Sequence, residues 1–106
     1  MILDNVFDRF NNTVMEIVEL TDYDDYENTY NKVTLGTVNG DLQPYSGELL
    51  MRDYGLNKEC QKRFFCGQNS NIQEGVYLKA EGVYYMVVYV AKWDMGLTVM
   101  LKEVNI

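Results

Sequence analysis

The alternation of apolar and polar positions along the chain predicts about six β-strands. They are expected over residues 13–20, 32–43, 57–66, 76–80, 83–91 and 97–104. The clearest signal is Glu81-Gly82, a two-residue connection between two apolar strands, because glycine takes the positive φ that a tight hairpin requires. In the last strand, Leu97, Val99 and Leu101 are expected to face the core. We therefore predict a mainly β fold, a small antiparallel β-barrel that forms one domain over residues 1–106.

Two short helices are predicted beside these strands. The first covers residues 1–10, where four apolar residues recur at the spacing of one helical face. These residues are Leu3, Val6, Phe7 and Phe10. The second covers residues 47–54, because Ser46 is a good N-cap and Gly55 is a good residue to end a helix. Pro44 is the only proline and is expected to end the preceding strand.

Two polar segments, residues 21–31 and 67–75, are predicted to be surface loops. The first is rich in acids and tyrosines and follows neither a helical nor a strand period. Its acids, Asp22, Asp24, Asp25 and Glu27, raise the question of a calcium site. An EF-hand loop requires a ligand at its fifth position and glycine at its sixth, where this chain has Tyr26 and Glu27. A solvated acidic loop is therefore the favoured interpretation.

The predicted strand 83–91 is apolar on both faces. One face carries Val83, Tyr85, Val87 and Tyr89, and the other carries Tyr84, Met86, Val88 and Val90. Because a strand in a small antiparallel sheet normally alternates apolar with polar residues, something must cover the second face. Two explanations are left open: a helix of the same chain, such as residues 1–10, or a partner subunit. The nine tyrosines and six methionines are residue types that favour interfaces.

The charge of the chain bears on its partners. With 16 acids and 9 bases the formal net charge is −7. Tight binding to a nucleic-acid backbone requires clustered lysine and arginine, and the nearest approach to a cluster, Lys58, Lys62 and Arg63, is interrupted by Glu59. We therefore predict no specific nucleic-acid binding. An acidic surface suits a wall that DNA must pass without sticking, although solubility explains the charge equally well.

Catalytic and metal chemistry find no support in the residue types. Histidine is absent, which removes the commonest general base and the usual imidazole ligand. No phosphate-binding glycine loop or zinc spacing occurs. Cys60 and Cys66 are expected on one face of a strand over residues 58–66, roughly 20 Å apart, which is too far for a disulfide. We predict buried thiols in a reducing compartment, no cofactor, no metal and no enzyme activity.

Targeting and membrane segments are not expected either. Residues 1–10 carry acids instead of the basic start of a signal peptide. The longest apolar run, residues 83–91, has nine residues, whereas a membrane-spanning helix needs ~20. The prediction is a soluble intracellular protein that does not bind membranes.

Two neighbouring parts of the sequence carry a family resemblance. They are the string GDLQPYSGEL at residues 40–49 and, after YGL at 54–56, the string CQKRFFC at residues 60–66. This arrangement resembles the small head-closure, or head–tail joining, proteins of tailed bacteriophages and prophages of Gram-positive bacteria. In that family a strand ending in Gln-Pro-x-Ser-Gly leads to a short helical excursion and a second strand. A tyrosine-rich hairpin near the C-terminus, like residues 76–91, also fits. The similarity runs from Lys32 onwards and leaves the acidic residues 22–27 unmatched.

The resemblance implies a virion structural protein. Such proteins form a small β-barrel that assembles as an oligomeric ring on the portal or its adaptor, retains the packaged genome and presents a docking surface for the tail. The protein would be in the host cytoplasm during assembly and then in the virion. By position, the segments expected to project from the barrel are residues 43–55 and 67–75. The candidate interaction residues are Gln43, Pro44, Tyr45, Ser46, Glu48, Arg52, Tyr54, Gln68, Asn69, Asn71, Tyr84 and Met86.

Two alternatives remain beside head closure. A tail-terminator or tail-completion subunit belongs to the same class of assembly protein. A small β-barrel that binds single-stranded nucleic acid or peptide belongs to a different class. Such barrels stack bases on aromatic residues within a basic groove; this chain has the aromatic residues but not the basic groove.

Overall fold

The computed structural model describes residues 13–106, so the helix predicted for residues 1–10 lies outside the described residues. Within this range the chain forms six strands and one helix. They are β1 (Thr13–Asp24), β2 (Thr29–Pro44), α1 (Gly47–Tyr54), β3 (Lys62–Cys66), β4 (Tyr77–Ala80), β5 (Val83–Trp93) and β6 (Gly96–Val104).

The six strands close into a barrel in the order β1-β2-β3-β6-β5-β4. Every neighbouring pair is antiparallel. The mainly β fold predicted from the sequence, a small antiparallel barrel of about six strands, is therefore confirmed. Closure requires β3 to pair with β6, and their register sets Phe64 opposite Val99.

The barrel interior is filled by one cluster of apolar side chains, contributed by five strands and the loop before β4. Its buried members are Met15, Ile17, Phe64, Cys66, Ile72, Leu78, Tyr85, Val87, Leu97, Val99 and Leu101. The predicted inward set of the last strand, Leu97, Val99 and Leu101, is confirmed. Ile72 supplies the apolar anchor of the otherwise polar loop at residues 67–75, which the structure also confirms as a loop.

Glycine is required at position 40, where β2 passes over the core side chain Phe64. A Cβ atom added at Gly40 would overlap the carbonyl oxygen of Phe65 and would lie 2.6 Å from Cζ of Phe64. Gly40 lies opposite Cys66 in the β2–β3 ladder. The absence of a side chain therefore lets the Phe64 ring pack against β2 at Gly40.

Local sequence signals correctly located the helix and one hairpin. Ser46 caps α1 by accepting a hydrogen bond from the Leu49 amide at 3.2 Å, and Gly55 ends the helix in the left-handed conformation at φ 69°. In the β4–β5 hairpin, Glu81 and Gly82 take φ values of 51° and 80°. Positive φ at both central positions is the signature of the turn that matches strand twist.

Two predicted boundaries were wrong. Residues 21–31 are not a loop, because β1 continues to Asp24 and β2 begins at Thr29. The strand predicted over residues 57–66 begins only at Lys62, so Cys60 precedes it. The two cysteines are both free and buried, as predicted. They do not share one face of a strand, however: Cys66 packs in the barrel interior, and Cys60 packs in a second cluster beneath α1.

Candidate functional site

The first candidate surface is a hairpin arm, which we define as residues 19–35 of β1 and β2. β4 pairs with β1 only through Glu16–Val18, and β3 pairs with β2 only from Gly40 to Pro44. Within the described chain, the two strands of the arm therefore pair only with each other. Six consecutive residues, numbers 30–35, are exposed although they belong to a strand. Since neighbouring strand residues point to opposite faces, neither face of this strand is packed there.

The tip of the arm is a short turn held by its own side chains. The Oδ1 atom of Asp24 accepts hydrogen bonds from the amides of Tyr26 at 2.9 Å and Glu27 at 3.3 Å. This local bonding is a common way for aspartate to initiate a turn. Asn28 completes the turn at φ 54°. The side chain of Tyr26 is fully exposed at the end of the turn.

Just before the tip, Tyr23 and Tyr30 lie directly opposite each other. Their ring centroids are 5.0 Å apart in an edge-to-face arrangement, a geometry that aromatic pairs prefer. Both rings remain about half exposed. The pair stiffens the arm while leaving aromatic surface available to a partner.

The arm is the most acidic part of the chain. It carries the five acids Glu19, Asp22, Asp24, Asp25 and Glu27. Its only base is Lys32. The remaining 11 acids and 8 bases of the chain are much closer to balance. The arm therefore concentrates the negative charge of the protein at one end of a projecting hairpin.

The second candidate surface lies on the outside of the barrel, where β4 and β5 meet the base of the arm. We call it the outer face and define it by Lys32, Tyr77, Lys79, Tyr84 and Met86. Lys79 lies opposite Tyr84 in the β4–β5 ladder, and Tyr77 lies opposite Met86. The inward neighbours Leu78 and Tyr85 are buried in the core, so the alternation of side chains directs the outer-face residues of β4 and β5 away from it.

Two lysines converge on one ring in this outer face. The Nζ atoms of Lys32 and Lys79 each lie 5.1 Å from the centroid of the Tyr84 ring, which is within the range of a cation–π interaction. The ion pairs among residues 13–106 use Arg52, Lys58 and Lys102 and neither of these two lysines. Glu16 lies opposite Lys79 in the β1–β4 ladder, but the two groups form no ion pair. The outer face thus presents two ammonium groups that form no ion pair with a carboxylate of the described residues.

On the outer side of the barrel, α1 covers the part of β5 that follows Met86, at Val88 and Tyr89. The β5–β6 register shifts between Val87 and Tyr89, which makes Val88 the extra residue of a bulge. After the bulge, Val90 packs towards the barrel interior and Tyr89 packs on the second cluster. The predicted faces are therefore wrong for these two residues, which exchange sides. The cover from the same chain is α1 for Val88 and Tyr89, whereas Tyr84 and Met86 are only partly buried.

A polar network fixes α1 on the barrel. The Tyr45 hydroxyl donates to Oδ2 of Asp53 at 2.7 Å, and Nε of Arg52 donates to Oδ1 of the same carboxylate at 2.9 Å. Burial, followed by the bond to Asp53, raises the pKa of Tyr45 to about 12. The bonds from Arg52 and then from Tyr45 lower the pKa of Asp53. Leu50 of the same helix is completely buried against the barrel. The polar network and this apolar contact therefore hold α1 in place together.

The residues predicted to interact fall into three separate places. Gln43, Pro44, Tyr45, Ser46, Glu48, Arg52 and Tyr54 belong to the end of β2 and to α1; Gln68, Asn69 and Asn71 belong to the loop before β4; Tyr84 and Met86 belong to the outer face. No hydrogen bond, ion pair or ring contact among the described residues joins one of these groups to another. The structure therefore does not assemble the set into one site.

Several members of the α1 group have structural partners. Gln43 accepts a hydrogen bond from Nε of Arg63 at 3.0 Å, and the Arg63 guanidinium lies 5.0 Å from the ring centroids of Tyr45 and Phe65. Tyr54 packs on Tyr89 with centroids 5.5 Å apart. Residues 43–55 lie along the barrel instead of projecting from it, because Tyr45 and Leu50 are buried against it. The projecting segment is the hairpin arm.

The loop at residues 67–75 is tied down at both ends. Nε2 of Gln68 donates to the carbonyl oxygens of Trp93 and Asp94 at 3.2 and 3.1 Å, which holds the loop against the β5–β6 turn. Oδ1 of Asn69 accepts from the Asn71 amide at 3.0 Å. With Ile72 buried in the core, this segment is a short packed connection.

Sequence reasoning missed Lys32 and Lys79 as site residues, together with the tip residues Asp25, Tyr26 and Glu27. The acidic, tyrosine-rich composition of the tip was a usable signal. Nothing in the local pattern indicated that Lys32 and Lys79 share one tyrosine ring, because that contact depends on how the arm leaves the barrel.

The acidic and cysteine side chains of the described residues are the groups that bear on metal binding and on thiol reactivity. Among residues 13–106 no group of three or more histidine, cysteine, aspartate or glutamate side chains is placed to hold a metal ion. Burial raises the pKa of the Cys66 thiol to about 11 and also raises that of Cys60, which disfavours the reactive thiolate form. In the same range, no helix has the length and apolar character to cross a membrane.

The sequence matches no protein-family model, and no curated protein is significantly similar to it.

Proposed function

We propose that this protein is a non-catalytic structural subunit of the connector between head and tail in a tailed bacteriophage or prophage, acting in head closure. In this role the barrel is a ring subunit that docks on the portal or its adaptor and presents a surface to the tail. The protein is then present in the host cytoplasm during assembly and in the virion afterwards. The proposal starts from the resemblance of residues 40–66 to that family.

The observation that carries the proposal is the hairpin arm on a closed barrel. A closed barrel has its strands paired all round and needs no added hairpin to complete its core. The arm nevertheless extends beyond the barrel with both faces exposed, and it carries half-exposed Tyr23, Tyr30 and Val33. A hairpin that the core does not use is suited to contact a neighbouring subunit.

The charge distribution favours an assembly role over the binding of single-stranded nucleic acid. The arm repels a polyanion, and the aromatic residues of the outer face are accompanied by only two free lysines. Nucleic-acid barrels combine aromatic stacking with a continuous basic groove. We expect no detectable binding of a fluorescent oligothymidine at low salt, whereas saturable binding would favour the alternative function.

The test is deletion of the gene in the phage or inducible prophage that carries it, followed by electron microscopy of the particles. Head closure predicts free tails beside tail-less heads that have lost DNA, with normal particles restored by a wild-type copy supplied in trans. Filled heads beside tails of uncontrolled length would instead assign the protein to tail completion. Normal tailed particles would contradict both assembly functions.

A further inference from the structure

We propose that the tip of the hairpin arm of one copy docks on the outer face of a second copy, with its acids placed against Lys32 and Lys79. This inference rests on the proposed function, because it supplies the contact by which ring subunits would join. The occupant of the outer face is thus a second copy of this chain.

The acceptor is the pair of lysines over Tyr84. Two ammonium groups held near one ring repel each other, and the ring alone compensates them only weakly because a cation–π contact at an exposed site is weak. A carboxylate placed beside the ring would accept hydrogen bonds from both lysines. Met86 and Tyr77, which lie next to Tyr84 on the same face, provide apolar and aromatic surface around this point.

The donor is the turn at the end of the arm. Asp25 and Glu27 flank the fully exposed Tyr26, so the tip presents two carboxylates on either side of an aromatic ring. This arrangement complements the outer face in charge and in aromatic character. The two carboxylates would pair with Lys32 and Lys79, and the Tyr26 ring would pack on the tyrosines of the outer face. Because Asp24 orders the tip through its bonds to the amides of Tyr26 and Glu27, docking loses less conformational entropy than it would for a free loop.

An arm cannot dock on its own outer face. Tyr26 lies in the turn, and Lys32 is three residues along β2 from its first residue, Thr29, so Lys32 lies roughly 10 Å behind the turn at ~3.3 Å per residue. The paired strands keep the tip pointing away from its own lysines. The contact must therefore join two molecules through two different patches, and such heterologous contacts generate rings or open filaments.

A second copy fits the surface better than an unrelated acidic partner. The acidic tip and the unneutralised lysines are present on the same chain in matching numbers, two carboxylates flanking Tyr26 for two ammonium groups over Tyr84. One kind of contact, repeated around a ring, neutralises both patches on every subunit.

The test uses charge reversal in the full chain, followed by sedimentation velocity at low salt over a range of protein concentrations. The tip variant carries Asp25→Lys and Glu27→Lys, and the face variant carries Lys32→Glu and Lys79→Glu. We expect the wild type to self-associate, and each variant alone to associate at least about tenfold more weakly, because like charges then meet at the contact. An equimolar mixture of the two variants should recover association, since every tip then finds an oppositely charged face on the other variant.

A matched control is the variant with Lys62→Glu and Lys92→Glu, which changes the net charge as much as the face variant does but leaves both patches intact. Its association should stay within about twofold of the wild type. Circular dichroism spectra establish that all variants are folded. The proposal is overturned if the wild type stays monomeric at every concentration, if either variant associates like the wild type, or if the mixture does not recover.

This experiment and the gene deletion can fail separately. Tail-less heads together with a failed charge reversal would keep head closure and reject this mode of self-docking. Recovery by the mixture together with normal tailed particles after deletion would keep the self-docking and reject the connector function.

Discussion

The barrel and the hairpin arm are both built from antiparallel strands and yet are stabilised in different ways. In β6 every residue from Gly96 to Leu101 is buried, because the barrel interior lies on one side and α1 covers Met100 on the other. In the arm, residues 30–35 are all exposed. An isolated two-stranded hairpin is only marginally stable in water, so the arm depends on the barrel, whereas we expect the barrel not to depend on the arm. Surface that folding leaves unused is the part of this molecule most available for a partner.

Two β-bulges in the β1–β2 pairing disfavour non-specific strand pairing along the two edges of the arm. Ile17 pairs with Gly36 and Val18 pairs with Thr34, which leaves Leu35 as an extra residue on β2. A second shift, between Leu20 and Tyr23, places an extra residue on β1. Bulges increase the local twist, and charged residues on an edge oppose edge-to-edge pairing. The tip and faces of the arm, more than its edges, are therefore the surfaces open to a partner.

The largest difference in stability between the barrel and the arm is expected when one apolar side chain in each region is truncated to alanine. Phe64 is completely buried, whereas Val33 is 44 % exposed. Phe64→Ala should lower the free energy of unfolding by about 3–5 kcal/mol, since it removes buried surface and leaves a cavity. Val33→Ala should change it by no more than ~0.5 kcal/mol. Urea unfolding followed by circular dichroism measures both.

The two substitutions share one readout, so the comparison is direct. Both variants should retain the wild-type dependence of stability on urea concentration, because the surface exposed on unfolding hardly changes. A loss at Val33 comparable to that at Phe64 would mean that the arm is packed in solution, and the distinction between the two regions would then be wrong.

A smaller effect is expected where α1 joins the barrel. Tyr45→Phe removes the hydroxyl that donates to Asp53 and should cost about 1–2 kcal/mol, because the acceptor is charged and the site is partly buried. The folded protein raises the pKa of Tyr45 from 10.0 to about 12. The unfolded chain therefore releases this proton first as the pH rises. The contribution of the hydroxyl is complete below pH 10 and is lost between pH 10 and pH 12.

The measurement is urea unfolding of wild type and Tyr45→Phe at pH 8 and at several values above pH 10. The stability advantage of the wild type should shrink as the pH rises. Tyr85, whose pKa burial also raises, is present in both proteins and cancels in the difference. An advantage that stays constant through pH 12 would contradict the assigned role of the Tyr45 hydroxyl.

Sequence patterns predicted the barrel well where local chemistry determines the structure. The cap at Ser46, the left-handed Gly55 and the pair Glu81-Gly82 act on their immediate neighbours, so α1 and the β4–β5 hairpin could be located from the sequence. The start of β3 could not, because Cys60 continues the apolar alternation of Phe64 and Cys66 although it packs beneath α1. The bulge at Val88 was also unpredictable, since it becomes visible only in the pairing with β6.

The arm escaped prediction for a physical reason. Strands are recognised by alternation because one face is normally buried and the other is wet. Neither face of the distal arm is buried, so residues 21–31 follow no strand period and their sequence predicts a loop, although the flanking residues 13–20 and 32–43 are predicted as strands. The same feature that hid the strands, exposure on both sides, is the one on which we base the proposal that the arm contacts a partner. The lysine pair on Tyr84 was hidden because it joins residues from β2, β4 and β5 only after folding.

A small effect on stability, and the most decisive comparison, is expected from removing the distal part of the arm, residues 21–31. Leu20 pairs directly with Lys32, so replacing residues 21–31 by Asn-Gly gives the two-residue connection that antiparallel strands favour. The deleted residues contribute little buried apolar surface, and a shorter connection lowers the entropic cost of closing the hairpin. We therefore expect the free energy of unfolding to change by no more than about 1 kcal/mol, measured by urea unfolding.

The shortened protein keeps Lys32, Lys79 and Tyr84 but lacks the acidic tip, so it should fold like the wild type and lose self-association in sedimentation velocity. It should also fail to bind the outer face of the full-length protein, because it lacks the acidic tip. Its own outer face should still bind the tip of a wild-type copy. Added in excess, it should cap growing assemblies instead of extending them. Unfolding of the shortened protein would show that the barrel needs the arm, whereas undiminished self-association would show that copies meet through another surface.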